Sequence, residues 1–455
     1  MEELSGQKWS TLDFIKFITP SVLSIISISL YMVVDAVFIS RYAGSNALAS
    51  VNIIMPLFSL CFGIGLMVAA GASAIIGIEL GENKKHLANK HFTTAFIFLL
   101  IVMGLIILIA QSIGMEGISL LLGATDMLLP GCINYLDIFI FGIAAVVLQI
   151  FFEFFIRLDG KPIWAFYTTI AGGLTNISLD YYLIVELNMG VHGAGIASAL
   201  GICIAGLVGI LYFIFKSDNL KFVTPSLDFK FLIDTMINGS SEMVSELSTG
   251  VKTFVFNIII IKYAGEDGVA AMAILMHLFF LLSSFYIGLS MGVSPVISFN
   301  YGSKNFEKIR EVLYYSILIT VVVSVITFII GIFWGDIAIL IFAKGQDSVI
   351  KIAESGMQIF AFIFLMNGIN ILASAFFTSV NNGKISAMIS FLKSFVFTLS
   401  FVMILPGMFG LRGVWLSVPV AELATVLVSF FFVFKYWYVY VSPDALPINT
   451  KQVLQ

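Results

Sequence analysis

Charge is what this 455-residue sequence has least of: Asp, Glu, Lys and Arg make up 11% of it, against about 25% in an ordinary soluble domain. With 60% of the residues hydrophobic, a water-soluble globule is excluded and lipid is the expected solvent. The net charge is −4 with no long block of one sign, so no basic face for nucleic acid exists. Cysteine is scarce as well. Cys61, Cys132 and Cys203 lie far apart in or beside apolar runs, which suits neither a disulfide framework nor a metal cluster and reads as inert packing. Met1–Asp13 holds two Glu, one Asp and one Lys and lacks the basic-then-apolar pattern of a cleaved signal, so the first apolar run is expected to stay as a helix. No Gly-x-x-x-x-Gly-Lys-Ser/Thr loop is present to bind ATP.

What the sequence has in abundance is long apolar runs. A bilayer span needs roughly 20 such residues in one helix, where every backbone polar group is satisfied. Twelve runs qualify: Phe14–Ile39, Val51–Ile78, Phe92–Ile113, Leu128–Ile156, Ile163–Val185, Gly195–Phe215, Leu232–Ile261, Val269–Phe299, Val312–Phe333, Ile352–Thr378, Ser386–Leu405 and Val414–Tyr436. The expected fold is therefore an all-α integral membrane protein. Alternating the loops puts sixteen Lys/Arg on the side of the N-terminus and five, Arg41, Lys262, Lys344, Lys351 and Arg412, on the other. By the positive-inside rule both termini are expected in the cytoplasm, Lys451 at the C-terminus included, with the chain in the cell inner (plasma) membrane.

The chain also repeats itself. Laid over itself so that Tyr42 meets Tyr263, the stretch Tyr42–Gly81 aligns without a gap on Tyr263–Gly302, and thirteen of the forty positions are identical. Both copies run into a basic loop, Glu82–Lys90 and Ser303–Arg310. Helices six spans apart share orientation, so this is a parallel repeat, an arrangement that places a transport site between halves. The polar stretch Lys216–Asp234 is the natural linker. It divides a first lobe of six helices, residues 1–222, from a second, 223–455.

Ionisable groups inside spans are default site candidates, because each costs several kcal/mol in lipid. Asp35 lies near the far end of the first run; Asn176 and Asp180 share a face of the fifth; Ser198 opens the sixth at matching depth. Two carboxylates, an amide oxygen and a hydroxyl could hold Na⁺ or share a proton, and either would couple an ion gradient to helix movement. Glu242 and Glu246 share a face of the seventh run with Lys252 deeper in, and either acid could pair with Lys252 or Lys393 as structural glue. Glu153 and Arg157 have the i,i+4 spacing of an intrahelical ion pair, which favours structure or gating. His277 replaces Pro56 of the repeat as a helix-contact residue, and Glu422 on the last run is ambiguous in the same way. The 44 Phe and 18 Met suit an adaptable apolar cavity and lipid contact alike.

With these features in place, Arg157-Leu158-Asp159-Gly160-Lys161-Pro162, Thr175-Asn176-Ile177-Ser178-Leu179-Asp180 and Gly190-Val191-His192-Gly193-Ala194-Gly195-Ile196-Ala197-Ser198 make the chain resemble the multidrug and toxic compound extrusion (MATE) family, in particular its bacterial multidrug branch. The resemblance implies two six-helix lobes around a central cavity and export of small organic, often cationic compounds in exchange for Na⁺ or H⁺, with no other cofactor and no enzymatic activity. It places the cation site on Asp35, Asn176, Asp180 and Ser198. Asn238-Gly239-Ser240-Ser241-Glu242 departs from the Gly-x-Pro opening of many relatives, and Asn367 and Asn370 stand where some carry Asp, so a second cation site in the other lobe is not implied. A flippase of lipid-linked precursors on the same plan is the alternative. A channel or receptor, with no coupled ion site, is the third reading. Small-molecule substrate and membrane lipid are the expected partners.

Overall fold

The computed structural model describes residues 8–342 and 347–442; Lys344 and Lys451, counted above, lie outside the described residues. Among these residues ten helices are long and apolar enough to cross a membrane. One of the ten, Phe229–Gly302, is two spans broken at Gly265, whose φ of 60° and ψ of −154° no helix contains. Pro162–Asp180 is a further helix, its hydropathy lowered by Thr, Gly and Asn. Together these give the twelve spans: α1 (Thr11–Phe38), α2 (Ser45–Gly81), α3 (Lys85–Ile113), α4 (Leu129–Leu158), α5 (Pro162–Asp180), α6 (Gly190–Phe215), α7 (229–264), α8 (266–302), α9 (Phe306–Phe342), α10 (Asp347–Ser379), α11 (Gly383–Phe409) and α12 (Leu411–Tyr440). A short helix, Met115–Leu121, sits between α3 and α4.

The repeat extends well beyond the forty aligned positions, and the backbone shows it. Positive φ angles recur in the register that pairs Tyr42 with Tyr263: at Gly44 and Gly265, Asn83 and Lys304, and Gly160 and Asn381. Gly190 and Gly410 pair one position out of that register. The two loops expected to be basic and nine or eight residues long are in fact tight turns, because α3 already starts at Lys85 and α9 at Phe306. The first and last described residues meet on one face: the Trp9 N–H donates to Glu311, Tyr315 Oη to the Trp9 carbonyl at 3.0 Å, and Arg310 Nη1 to the Val441 carbonyl at 3.1 Å.

On this face the two halves share one apolar core, in which Phe14, Ile76, Phe151 and Phe155 pack with Val296, Phe299, Phe376 and Phe377. On the opposite face there are two separate cores. Val51, Tyr135 and Phe139 belong to one, Phe256, Leu275 and Trp415 to the other. The halves therefore close against each other at the face of the termini and part toward the other. Closure depends on missing side chains: a Cβ on Gly239 would lie 1.8 Å from the Met67 carbonyl oxygen, and one on Gly81 2.0 Å from that of Phe299. Only glycine permits such backbone approach.

The linker starts where expected but ends earlier, at residue 228, because Asp228 caps α7 by accepting from the Phe231 N–H at 3.0 Å. That bond holds the Asp228 carboxyl below the ordinary range, with the nearby His91 adding to the effect. The linker lies strapped to the first half. Buried Asp159 accepts from Tyr212 Oη (2.5 Å) and from the N–H groups of Asn219 (3.0 Å) and Leu220 (3.3 Å). Asn89, Thr93 and Thr94 of α3 accept from Lys221, Val223 and Ser226.

Candidate cation site and the opposing polar cluster

Asp35 lies in the last helical turns of α1, which then widens into a π turn, Ile39–Ala43. Asp180 closes α5 in the same way, before a π turn at Tyr181–Glu186. Such widened turns aim side chains that a regular helix would not. They bring Asp180 beside Asp35, with Asn176 next to them. Asp35, Asn176 and Ser198 line one cavity with Tyr31, Tyr135 and Gly172. Its volume is about 80 Å³, room for a cation with several waters.

The charge balance at this cavity is incomplete. Asp35 Oδ1, Asn176 Oδ1 and both carboxylate oxygens of Asp180 are buried without a hydrogen-bond donor. Asp180 is fully buried and Asn176 is 5% exposed. A buried carboxylate without a partner is strongly disfavoured, and two in contact cannot both stay charged without a proton or a cation between them. The donor set is all oxygen, the preference of a hard cation.

Deeper in the same cavity, Gln149 and Thr169 lead to Glu153. Glu153 Oε1 accepts from Gln149 Nε2 and Thr169 Oγ1, both at 3.0 Å. Its Oε2 accepts from Arg157 Nη2 at 3.4 Å, and Arg157 Nε donates to Ser21 on α1 at 3.3 Å. The expected intrahelical pair is thus one edge of a buried network tying α4 to α5 and α1.

The second half is built differently at the same level. Lys393, in a π turn of α11, lies 2.9 Å from Glu422 Oε1 and donates to Asn367 Oδ1 at 2.9 Å. Glu422 Oε2 accepts from Asn370 Nδ2 at 2.7 Å, Ser429 donates to Asn370 Oδ1 at 3.0 Å, and Asn367 Nδ2 donates to Ser283 at 2.9 Å. Here the expectation that Glu242 or Glu246 pairs with Lys393 or Lys252 needs correction. Among the described residues neither acid lies within 4.0 Å of a lysine or arginine nitrogen: Glu422 on α12 takes Lys393, and Lys252 stands six and ten positions from the two acids, spacings that do not pair side chains within a helix. Glu246 lies against Ser59 of α2 instead, with Glu242 one turn away on its own helix. His277 is exposed on α8 with Nδ1 2.7 Å from the Ala273 oxygen of its own helix, and it does not line the cavity.

Several residues that the linear pattern did not single out belong to these sites. Tyr31 and Gln149 each stand four residues before a singled-out acid, a spacing that could have flagged them; Tyr135 on α4 carries no such signal, yet it reaches Ser198. His91 is another such residue. Its Nδ1 is 2.7 Å from Glu79 Oε1, its Nε2 is 3.5 Å from Asp228, and its ring stacks on Phe231 at 4.0 Å, joining α2, α3 and the start of α7. Cys203 is exposed rather than packed, in an apolar crevice of about 340 Å³ between α4 and α6. No group of three or more His, Cys, Asp and Glu able to hold a metal occurs among the described residues.

A sequence model described as MatE matches residues 20–182 and 243–404 of this chain, one segment in each half. A "Multidrug export protein MepA" of Staphylococcus saprophyticus is 24% identical over 443 residues, covering 96% of this chain and 95% of that protein. Among solved structures, a MATE protein in complex with MaL6 superposes with a TM-score of 0.90 at 21% identity, covering 96% of this chain and 98% of its own. The outward-facing conformation of a multidrug resistance MATE family transporter of the MOP superfamily gives 0.89 at 21% identity, with the same coverage.

Proposed function

We propose, from the premise that this chain belongs to the MatE family of multi-pass multidrug efflux transporters, that it expels small organic, often cationic compounds in exchange for Na⁺ or H⁺. The observation that carries this reading is the set of four buried, donor-less oxygens on Asp35, Asn176 and Asp180. They leave a deficit that one cation or proton would fill, and Ser198 on α6 adds a hydroxyl at the cavity wall. An ion bound there shifts the balance of conformations only by the difference in its affinity for them.

The same reading gives the movement. Two lobes, residues 1–222 and 223–455, rock about the glycine-lined seam, opening the cleft to one face at a time. With the face of the termini taken as cytoplasmic on the Lys/Arg bias, the cleft in this structure opens outward, as in the solved neighbour described as outward-facing. Glu153 and Arg157 act as positioning residues beneath the ion site, and Glu242, Glu246, Lys252 and Lys393 line or buttress the second lobe's wall. The MepA relative is named a multidrug export protein, which agrees with an organic cargo; no feature of the site favours a lipid-linked precursor.

Efflux of an organic cation such as ethidium from proteoliposomes under separate Na⁺ and pH gradients tests the proposal. One gradient is expected to drive uphill movement and the other not. Dissipation of the ion gradient with no cargo movement would indicate a channel and overturn the exchange.

A further inference from the structure

Two contacts at the face of the termini mirror each other across the repeat. α1 and α7 are the first helices of their halves and α3 and α9 the third, and each third helix reaches the start of the other half's first. From α3, the His91 ring lies flat on Phe231 of α7, with centroids 4.0 Å apart and planes 5° from parallel. From α9, the Lys308 ammonium stands 3.9 Å from the centre of the Trp9 ring, just before α1 begins at Thr11. Neither contact follows from the alignment, because in the register of Tyr42 on Tyr263 His91 falls on Val312 and Lys308 on Leu87. Different residues make the same kind of bridge in the same place.

His91, Phe231 and Lys308 are buried and Trp9 is half-buried. Each polar head is held within its own half: Glu79 Oε1 lies 2.7 Å from His91 Nδ1, and Glu311 Oε2 3.3 Å from Lys308 Nζ. What crosses between the halves is the aromatic contact, with a looser approach of Asp228 to His91 Nε2 at 3.5 Å. At Trp9 the backbone crosses as well, its N–H donating to Glu311 and its carbonyl accepting from Tyr315 Oη at 3.0 Å. Lys308, Glu311 and Tyr315 are three and four positions apart, so one face of α9 makes the whole dock. This division matters if the halves part. An ion pair buried between them would strand a charge on each side. Here each head keeps its acid, and only a ring leaves, a change of about threefold to thirtyfold in the balance of conformations. Contacts of that size bias an equilibrium without locking it.

We infer that His91 on Phe231 and Lys308 on Trp9 are a pair of latches that hold the two halves closed at the face of the termini and release when the cleft opens there, with Glu79 and Glu311 as positioning residues that keep the heads in place. The latches rest on reading the halves as lobes that rock in an export cycle, and they name the residues that hold one end of that cycle shut.

The test is the distance between spin labels on Glu82→Cys and Ser303→Cys, exposed turn positions in opposite halves, in the full-length protein in lipid nanodiscs with Cys61, Cys132 and Cys203 replaced by alanine. The parent is expected to show a short distance in excess. Trp9→Ala and Phe231→Ala should each raise the ratio of a longer, open distance to the short one about fivefold or more, and the double variant by about the product, since the latches share no residue. His91→Leu should act like Phe231→Ala and Lys308→Met like Trp9→Ala, so each latch can be broken from either side if one variant fails to fold. Lys308→Arg should keep the parent ratio, which a general loss of stability at that position would not. An unchanged ratio when either latch is broken, or an arginine variant as open as the methionine one, would overturn the pair. Failure of the export reading shows elsewhere: variants that open by distance, while the parent moves no ethidium under either gradient in proteoliposomes, support the latches and sink export.

Discussion

The two halves of this protein share one backbone plan and solve the same electrostatic problem in opposite ways. In the first, Asp35 and Asp180 face each other with oxygens that no protein donor reaches. In the second, Glu422 is answered from within the chain, by Lys393 at one oxygen and Asn370 at the other. A half whose negative charge is already answered has no need of an ion from solution; on the proposed function, the half left with a deficit is the one that takes an ion up and responds when it leaves. The lesson is that one repeated frame carries a completed polar network in one half and an incomplete one in the other.

The comparison breaks most sharply at the carboxylate pair. Asp35→Asn and Asp180→Asn are each expected to reduce gradient-driven efflux to background, about a hundredfold or more if ion coupling is lost entirely, with the protein still folded in the membrane. The double variant should be hardly worse, since the two act as one unit. Normal efflux by both single variants at matched expression would return the pair to a structural role.

A smaller effect, on stability rather than coupling, is expected in the second half. Lys393→Met strands Glu422, which is 2% exposed, and removing one partner of such a pair costs about 3–5 kcal/mol. Adding Glu422→Gln removes the stranded charge and should recover most of the loss. Thermal unfolding in detergent decides this; a double variant as unstable as the single one would mean that the pair is not a self-contained unit.

The least of the three concerns the strap that joins the halves. Asp159→Asn keeps one acceptor oxygen but replaces the other with a donor facing Tyr212 and the linker N–H groups. A cost of about 1–3 kcal/mol is expected for such a mismatch, seen as faster amide exchange over residues 216–228 with little change at Asp35. Unchanged exchange there would show that the Asn89, Thr93 and Thr94 contacts hold the linker unaided.

Much of this architecture was legible along the chain. Hydropathy is local, so each span could be found within its own stretch of sequence, and the internal repeat is a property of order alone. The merged run 229–302 shows where local reading stops, because Gly265 breaks the helix geometry without any loop of the expected length. The depth of Asp35, Asn176, Asp180 and Ser198 could be reckoned from helix rise, and the structure does set Asp35, Asn176 and Ser198 on one cavity and Asp180 beside Asp35.

The sequence by itself determined the solvent, the number of spans, the repeat and the rarity of charge that made each buried acid worth following. Only the tertiary structure decided which acid has a partner. Lys393 on α11 and Asn370 on α10 both meet Glu422 on α12, while Glu246 turns to Ser59 on a helix of the other half. Helical spacing describes neighbours within one turn. Which side chains from different helices come into hydrogen-bonding contact is set by how the helices pack, a relation that no periodicity along the chain records.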